Sequence, residues 1–408
     1  MEIDTRTAES EYIGLMNRIG GAFSSEAGFE NAQKYMKGLL DGTSRKNGWQ
    51  MSEAAGESTP YRLQQFINRG RYDAEELQGI ERGYVMENLG ESEGTLVVDD
   101  TGFVKQGTKS CGVQRQYTGT AGKVCNCQVG VFLTYASERG HCPIDRRLYM
   151  PKPWMGDAAR RKEAGVPKEL EFATKPALGL EMIKSATGAG VQYQWVTGDC
   201  AIDWCELHVN GTDTVHIRYT YGDCETLRSW LEASGKSYVL NVSRKAEIGG
   251  TNVGAVLPWL PEDKWFEASC GDGSKGAKLY DWYARPLPGP VAPGFRRAML
   301  VRRSRSDGEM KAYVAYAPVG TTDQKLAQVA GTRWTVETCF REAKNEVGLD
   351  QYEVRTYDGW HRHVTFALLA IALITVLSAN SLDKKSLQQH DPVNSSLDEF
   401  KKKRNLPV

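Results

Sequence analysis

Up to about residue 93 the apolar positions recur at helical spacing. Residues 27–40 form one amphipathic stretch, closed by Asp41-Gly42. Ser58-Thr-Pro60 is a helix start with proline in the first turn. Behind it Leu63, Phe66 and Ile67 share one side, while Arg62, Arg69 and Arg71 lie elsewhere, and 73–89 is a further helix. After Gly94 the period changes. Thr95-Leu-Val-Val98 is a short β-branched run that ends in Asp99-Asp100, the pattern of a buried strand. Residues 110–117 and 124–136 predict two more strands, joined by the glycine-rich turn 118–122. Residues 147–151 are a further candidate. A helix over 174–187 follows, and then a second short apolar run, 193–197, turns through Gly198 into Asp199. Residues 237–242 predict a strand. The segment 244–320 is rich in Gly, Pro and Trp, with strand-like runs at 297–302 and 311–316. Residues 332–344 are helical with almost no breakers. The apolar run 364–377 is too short to span a bilayer and reads as a buried helix. The polar residues from 380 onward read as a loose tail.

Composition narrows this picture. The chain has 408 residues, 40% hydrophobic and 25% charged, enough for a real core in two or three domains. Formal net charge is zero, which argues against a protein that simply coats nucleic acid but not against an enzyme acting on it. Basic residues are segregated: Arg296, Arg297, Arg302, Arg303 and Arg305 face only Asp307 and Glu309 nearby, and Lys401-Lys-Lys-Arg404 sits in the tail. Nine scattered cysteines fit reduced thiols, and Met1-Glu-Ile-Asp lacks an apolar leader, so a cytoplasmic protein is expected. Cys125, Cys127, Cys142 and His141 lack zinc-site spacing and read as buried small side chains. Trp259, Trp265 and Trp282 suit either core packing or stacking on a base.

The candidate chemistry lies in the acids. Asp99 and Asp199 each end a core-type strand, where a side chain is held rigidly over a crevice. Arg333, Glu337 and Lys344 fall at i, i+4 and i+11, on one helical face. That stripe suits a solvated salt-bridge ladder, or an acid between two phosphate-binding cations.

Arg-x(3)-Glu-x(6)-Lys resembles the Tyr/Arg/Glu/Lys signature of bacterial insertion-sequence transposases of the Asp-Asp-Glu type, with Ala330 at the Tyr position. The resemblance extends over Val97-Val-Asp-Asp-Thr-Gly-Phe103, Gly112-Val-Gln-Arg-Gln-Tyr-Thr-Gly119, Asn126-Cys-Gln-Val-Gly-Val131, Phe172-Ala-Thr-Lys-Pro176, Val196-Thr-Gly-Asp199, Tyr221-Gly-Asp223, Gly348-Leu-Asp-Gln-Tyr-Glu-Val-Arg355 and Trp360-His-Arg-His363. Arg45-Lys-Asn-Gly-Trp49 fits as well. It implies an α/β fold with a ribonuclease H-like mixed-sheet core over 94–243 and 321–378. It also implies a β-rich insertion over 244–320. The helical unit 1–93, with its basic third helix, suits either a DNA-binding domain or a purely structural helical one, and 379–408 is a basic, polar tail. Residues 200–219 interrupt the family pattern; Cys200, Cys205, His208 and His216 there are irregularly spaced, which favours an inert loop over a metal site.

On that resemblance Asp99, Asp199 and Glu337 are the catalytic and metal-binding acids, with Asp100 the rival to Asp99. Neighbours on a strand face opposite ways, so one of the two enters the site. Such acids suit two Mg²⁺ or Mn²⁺ ions, hard cations that take oxygen ligands. Arg333 and Lys344 would grip phosphates, and Arg296, Arg297, Arg302, Arg303 and Trp265 would contact DNA. The implied activity is cleavage at transposon ends and strand transfer into target DNA, by a homodimer on double-stranded DNA in the nucleoid, with no membrane association. Rival readings are a ribonuclease H-fold nuclease without strand transfer and a catalytically silent, domesticated DNA-binding protein.

Overall fold

The computed structural model describes residues 5–202, 207–209, 213–215, 218–273 and 276–389. Five helices come first: α1 (Thr5–Gly20), α2 (Glu26–Leu40), α3 (Gly48–Ala54), α4 (Tyr61–Arg69) and α5 (Ala74–Leu89). Ser25, Asn47 and Asp73 cap α2, α3 and α5, each accepting a bond from a first-turn N–H. Strands β1 (Thr95–Val104), β2 (Gln114–Thr118), β3 (Lys123–Ser137) and β4 (Gly140–Leu148) follow. Then come α6 (Lys152–Gly156), α7 (Ala158–Glu163), α8 (Lys175–Gly188) and β5 (Trp195–Gly198). Four three-residue strands follow: β6 (Cys200–Ile202), β7 (Leu207–Val209), β8 (Asp213–Val215) and β9 (Arg218–Thr220). They pair locally as two hairpins, β6 with β9 and β7 with β8. Cys205 and His216 lie outside the described residues. Next are α9 (Glu225–Ala233), β10 (Ser237–Val242), the hairpin β11 (Glu247–Ile248) and β12 (Thr251–Asn252), and α10 (Val253–Val256). The long strands β13 (Phe266–Gly273), β14 (Gly276–Pro286), β15 (Phe295–Arg303) and β16 (Met310–Pro318) precede α11 (Asp323–Thr332), α12 (Trp334–Val347) and α13 (Tyr357–Gln389).

One mixed sheet organises these elements, in the order β13-β14-β15-β16-β10-β5-β1-β3-β2, with β4 on β3. The three central strands β10, β5 and β1 run parallel; β3 and β16 flank them antiparallel. The segment expected as a β-rich insertion supplies four strands to this same sheet. Alternating apolar residues predict a strand but do not say which edge it joins. On one face of the extension, Trp282, Leu300, Tyr313, Leu326 and Ala330 make a separate core under α11.

Helix α13 runs for 33 residues, well beyond the apolar run seen in the sequence. Its stretch Tyr357–Leu382 has the length to cross a membrane and contains an 18-residue window of mean hydropathy 2.0, yet 72% of that window is buried inside the protein. It packs against β4 and the N-terminal helices. The Phe366 ring meets Tyr35, Phe66 and Tyr72, and Tyr35 hydroxyl bonds His363 Nδ1 at 2.7 Å. The N-terminal helices therefore share one core with α13 and the central sheet.

Where α5 meets β4, Glu81 is fully buried, accepting a bond from Gln78 Nε2 at 2.6 Å. Arg82 pairs nearby with Asp145 at 2.8 Å. Burial pushes the Glu81 carboxyl from 4.5 up to about 8, against the neighbouring arginines. Between those values the folded chain holds a proton that the unfolded chain releases, so this group lowers stability as pH rises through the window. Glu81→Gln is expected to flatten the urea midpoint against pH between about 4.5 and 8; a profile as steep as the parent's would contradict the assignment.

Candidate active site

The first two acids are placed by strand register. Val98 and Gly198 are the last pair of the parallel strands β1 and β5, so Asp99 and Asp199 follow side by side; β5 ends there, but β1 does not end at the acids as the sequence suggests and runs on to Val104 against β3. Gly198 suits this close packing, because a Cβ would lie a tight 3.1 Å from both the Tyr221 ring and the Val98 carbonyl. Gly222 makes a closer approach still: its Cβ would fall 2.3 Å from the Asn241 carbonyl. That close passage lets Asp223 Oδ1 accept the Ser243 N–H at 3.0 Å and fix the loop leaving β10.

The third acid arrives on α12. Arg333 joins α11 to α12 in helical conformation (φ −52, ψ −35), and Glu337 follows one turn later. One guanidinium touches all three acids. Arg333 Nη1 lies 3.2 Å from Asp199 Oδ2 and 3.8 Å from Asp99 Oδ2, and Nη2 donates to Glu337 Oε1 at 2.9 Å. Arg333 is buried at 7% exposure, so these contacts act in a medium that screens poorly. Burial pushes the Asp99 carboxyl up to about 7, helped by Asp100 and Asp199 and opposed by Arg333. The same three acids hold Arg333 above the usual guanidinium range in spite of its burial. Three carboxylates around one arginine leave negative charge uncompensated.

Two further contacts fix α12. Lys344 Nζ donates to Thr101 Oγ1 at 2.8 Å, Thr120 Oγ1 at 3.1 Å and the Gly102 carbonyl at 3.2 Å, tying the last turn to β1 and the β2–β3 turn. At the other end Trp334 stacks on Tyr280 at 5.4 Å and 3°, with the Arg302 guanidinium 4.9 Å from the Trp334 ring. Asp100 pairs with Lys175 at 3.1 Å; Lys175 is itself only 2% exposed and opens α8.

The acids line a cleft of about 1140 Å³, whose walls include Tyr117, Thr120, Arg244, Lys245, Lys311, Arg341 and Lys344. Lys311 Nζ is 3.9 Å from Asp199 Oδ2. The structure thus brings Asp99, Asp199, Glu337, Arg333 and Lys344 together, with Asp100 also on the cleft wall. It places the other candidates elsewhere. Arg296 pairs with Asp323, Arg297 with Glu232 and Arg303 with Glu262. Arg302 is buried in the Trp334 stack, and Trp265 packs on Tyr283 under Arg303. Trp282 is fully buried and Trp259 exposed. Cys127 and Cys142 are buried free thiols. The cleft cations Arg244, Lys245, Lys311 and Arg341, and the buried Lys175, were missed. Lys175 alone had a signal, in the family-like Phe172-Ala-Thr-Lys-Pro176. As the side chains stand, no three His, Cys, Asp or Glu among the described residues form a ready ion site. The donor chemistry nevertheless fits a hard divalent cation, since Asp99, Asp199 and Glu337 offer only carboxylate oxygens to the cleft.

The fold is α/β with an acid cluster in its cleft, and residues 21–201 match the family model of the DDE superfamily endonucleases. The match contains Asp99 and ends just past Asp199. The chain is also 26% identical over 341 residues to a probable transposase for insertion sequence element IS701 from Microchaete diplosiphon, covering 80% of this chain and 77% of that protein. Together these bear out the resemblance to Asp-Asp-Glu insertion-sequence transposases. A solved piggyBac transposase synaptic complex with hairpin DNA aligns at TM-score 0.45 and 10% identity, covering 89% of this chain and 68% of that one.

Proposed function

We propose that this chain is an insertion-sequence transposase that cuts DNA at the element's ends and joins the freed 3′-hydroxyls to target DNA, on a ribonuclease H-like core. The observation that carries the reading is the meeting of Asp99, Asp199 and Glu337 around Arg333, from the middle of β1, the end of β5 and one helix. Those three acids would hold divalent magnesium or manganese, which supplies Lewis-acid polarisation of the scissile phosphate and a more acidic bound water. The chain's own residues do the positioning. Arg333 draws the acids together, Lys344 fixes α12 to β1, and the Trp334–Tyr280–Arg302 stack sets where that helix begins. Asp100, held by Lys175, ties the middle of β1 to the start of α8. The cleft is open enough to admit a nucleic-acid backbone. Two ends must be brought together in transposition, so the working form is a homodimer on double-stranded DNA.

The test incubates the purified chain with Mg²⁺, a duplex carrying the terminal repeats of its own element, and a plasmid target. Release of 3′-hydroxyl ends together with joined products is expected. Cutting without joining would leave a nuclease, and binding without cutting a silent DNA-binding protein.

A further inference from the structure

The acids at the cleft floor repel a phosphate backbone, and the chain as a whole carries no net charge to attract one. Attraction must come from cations that are locally free. A cation already held by a carboxylate must give up that pair before it takes a phosphate. By this criterion the arginine-rich segment is spent: Arg296, Arg297, Arg303 and Arg305 sit in pairs of 2.6–2.9 Å, and Arg302 is buried. Three cations on the cleft wall differ. Arg244, Lys245 and Arg341 are exposed. Among the described residues none of the three is in an ion pair, and Arg341 makes only a 3.4 Å contact to Thr338 Oγ1.

Their placement is built. Ser243 is anchored by Asp223, and Ala246 N–H closes a turn on the Ser243 carbonyl at 3.1 Å. Gly254 N–H donates to the Arg244 carbonyl at 2.8 Å, in a spot where any Cβ would lie 2.6 Å from that oxygen. Arg244 and Lys245 are thus presented by a pinned turn at the end of β10, next to the β5 strand that leads into Asp199. Arg341 stands one turn after Glu337 on α12, which packs on β1. The three cations thus reach the acid-lined cleft from two separate elements, the turn after β10 and helix α12.

We infer that Arg244, Lys245 and Arg341 form the phosphate-gripping rim of the cleft, holding a DNA backbone on either side of the phosphate over Asp99, Asp199 and Glu337. The inference rests on DNA as the substrate of this cleft. Direct rim contacts release counterions, so each cation removed lowers the slope of log K against log salt by about 0.9.

The experiment measures fluorescence anisotropy of a labelled mixed-sequence duplex across a salt series. Three proteins are compared: the parent, the triple variant Arg244→Gln, Lys245→Gln, Arg341→Gln, and a charge-matched control, Arg18→Gln, Lys109→Gln, Arg305→Gln. The control cations are exposed and paired with Glu87, Glu163 and Asp281. The rim variant is expected to bind with a slope shallower by roughly 2 to 3, from three contacts at about 0.9 each, while the control keeps the parent slope. Single rim variants, each expected to lower the slope by about 0.9, serve if the triple variant is poorly folded by circular dichroism. A rim variant with the parent slope, or a control that loses as much, overturns the inference and leaves the DNA reading intact. A parent chain that does not bind the duplex at any salt overturns both.

Discussion

Glu337→Gln is expected to remove DNA cleavage while leaving duplex binding at the parent level. The substitution keeps shape and a neutral oxygen that still accepts from Arg333, so α12 loses little of its anchoring. Glu337 is the most exposed of the three acids, 55% at the side chain, so the fold hardly depends on its charge. What the change removes is one negative charge from the set that would hold the divalent ion. A fall in cleavage rate of roughly 10²- to 10³-fold is expected, on the order of 3–4 kcal/mol of barrier, the range seen when one preorganised electrostatic group is lost. Single-turnover cleavage and anisotropy on the same duplex check it. Unchanged cleavage would mean that the acid on α12 takes no part. Binding lost along with cleavage would mean that Glu337 acts through the fold.

Arg333→Ala has the largest expected effect on stability. Arg333 is buried and is the shared counter-ion of three carboxylates, two of them mostly buried. Removing one partner of a buried charge cluster costs about 3–5 kcal/mol, because the remaining charges stay desolvated and uncompensated. Thermal unfolding in chelator should therefore drop clearly for Arg333→Ala. Added Mg²⁺ should recover more of the loss in the variant than it adds to the parent, since a dication can replace the missing charge. Arg333→Lys should fall between the two, because an ammonium lacks the fork that reaches several carboxylates at once. A variant as stable as the parent in chelator would contradict the bridging role.

The sequence made the acids visible because each follows a local pattern. Asp99 and Asp199 each close a short apolar β-branched run; β5 does end before Asp199, while β1 runs on past Asp99 to Val104, a continuation that the polar Asp99-Asp100-Thr101 hides. Glu337 and Arg333 share a helical face by spacing alone, and the i,i+4 bond between them is present at 2.9 Å. What stayed hidden is non-local. Nothing in the period of residues 266–318 tells that β13–β16 extend the central sheet rather than form a separate unit. Helix α13 begins ahead of the 364–377 run because polar residues of its second turn, His361 and His363, are buried against other elements, and it continues to Gln389 through polar residues that the sequence reads as a loose tail. The arginines of 296–305 look like a basic face in the chain, but their carboxylate partners Asp323, Glu232 and Glu262 lie far away in sequence. Lys344 reads as a cation on the Glu337 stripe, while its hydrogen bonds go to Thr101, Gly102 and Thr120. Arg244 and Lys245 carry no motif at all and gain meaning only from the turn that holds them beside Asp199.

Mn²⁺ binding, followed by the loss of its free-ion electron paramagnetic resonance signal, bears most directly on whether these three acids act as one set. The parent chain is expected to take up Mn²⁺, with uptake sharply weakened in Asp99→Asn, Asp199→Asn and Glu337→Gln alike. Equal Mn²⁺ uptake by the parent and all three variants, or no uptake by a folded parent chain, would contradict it.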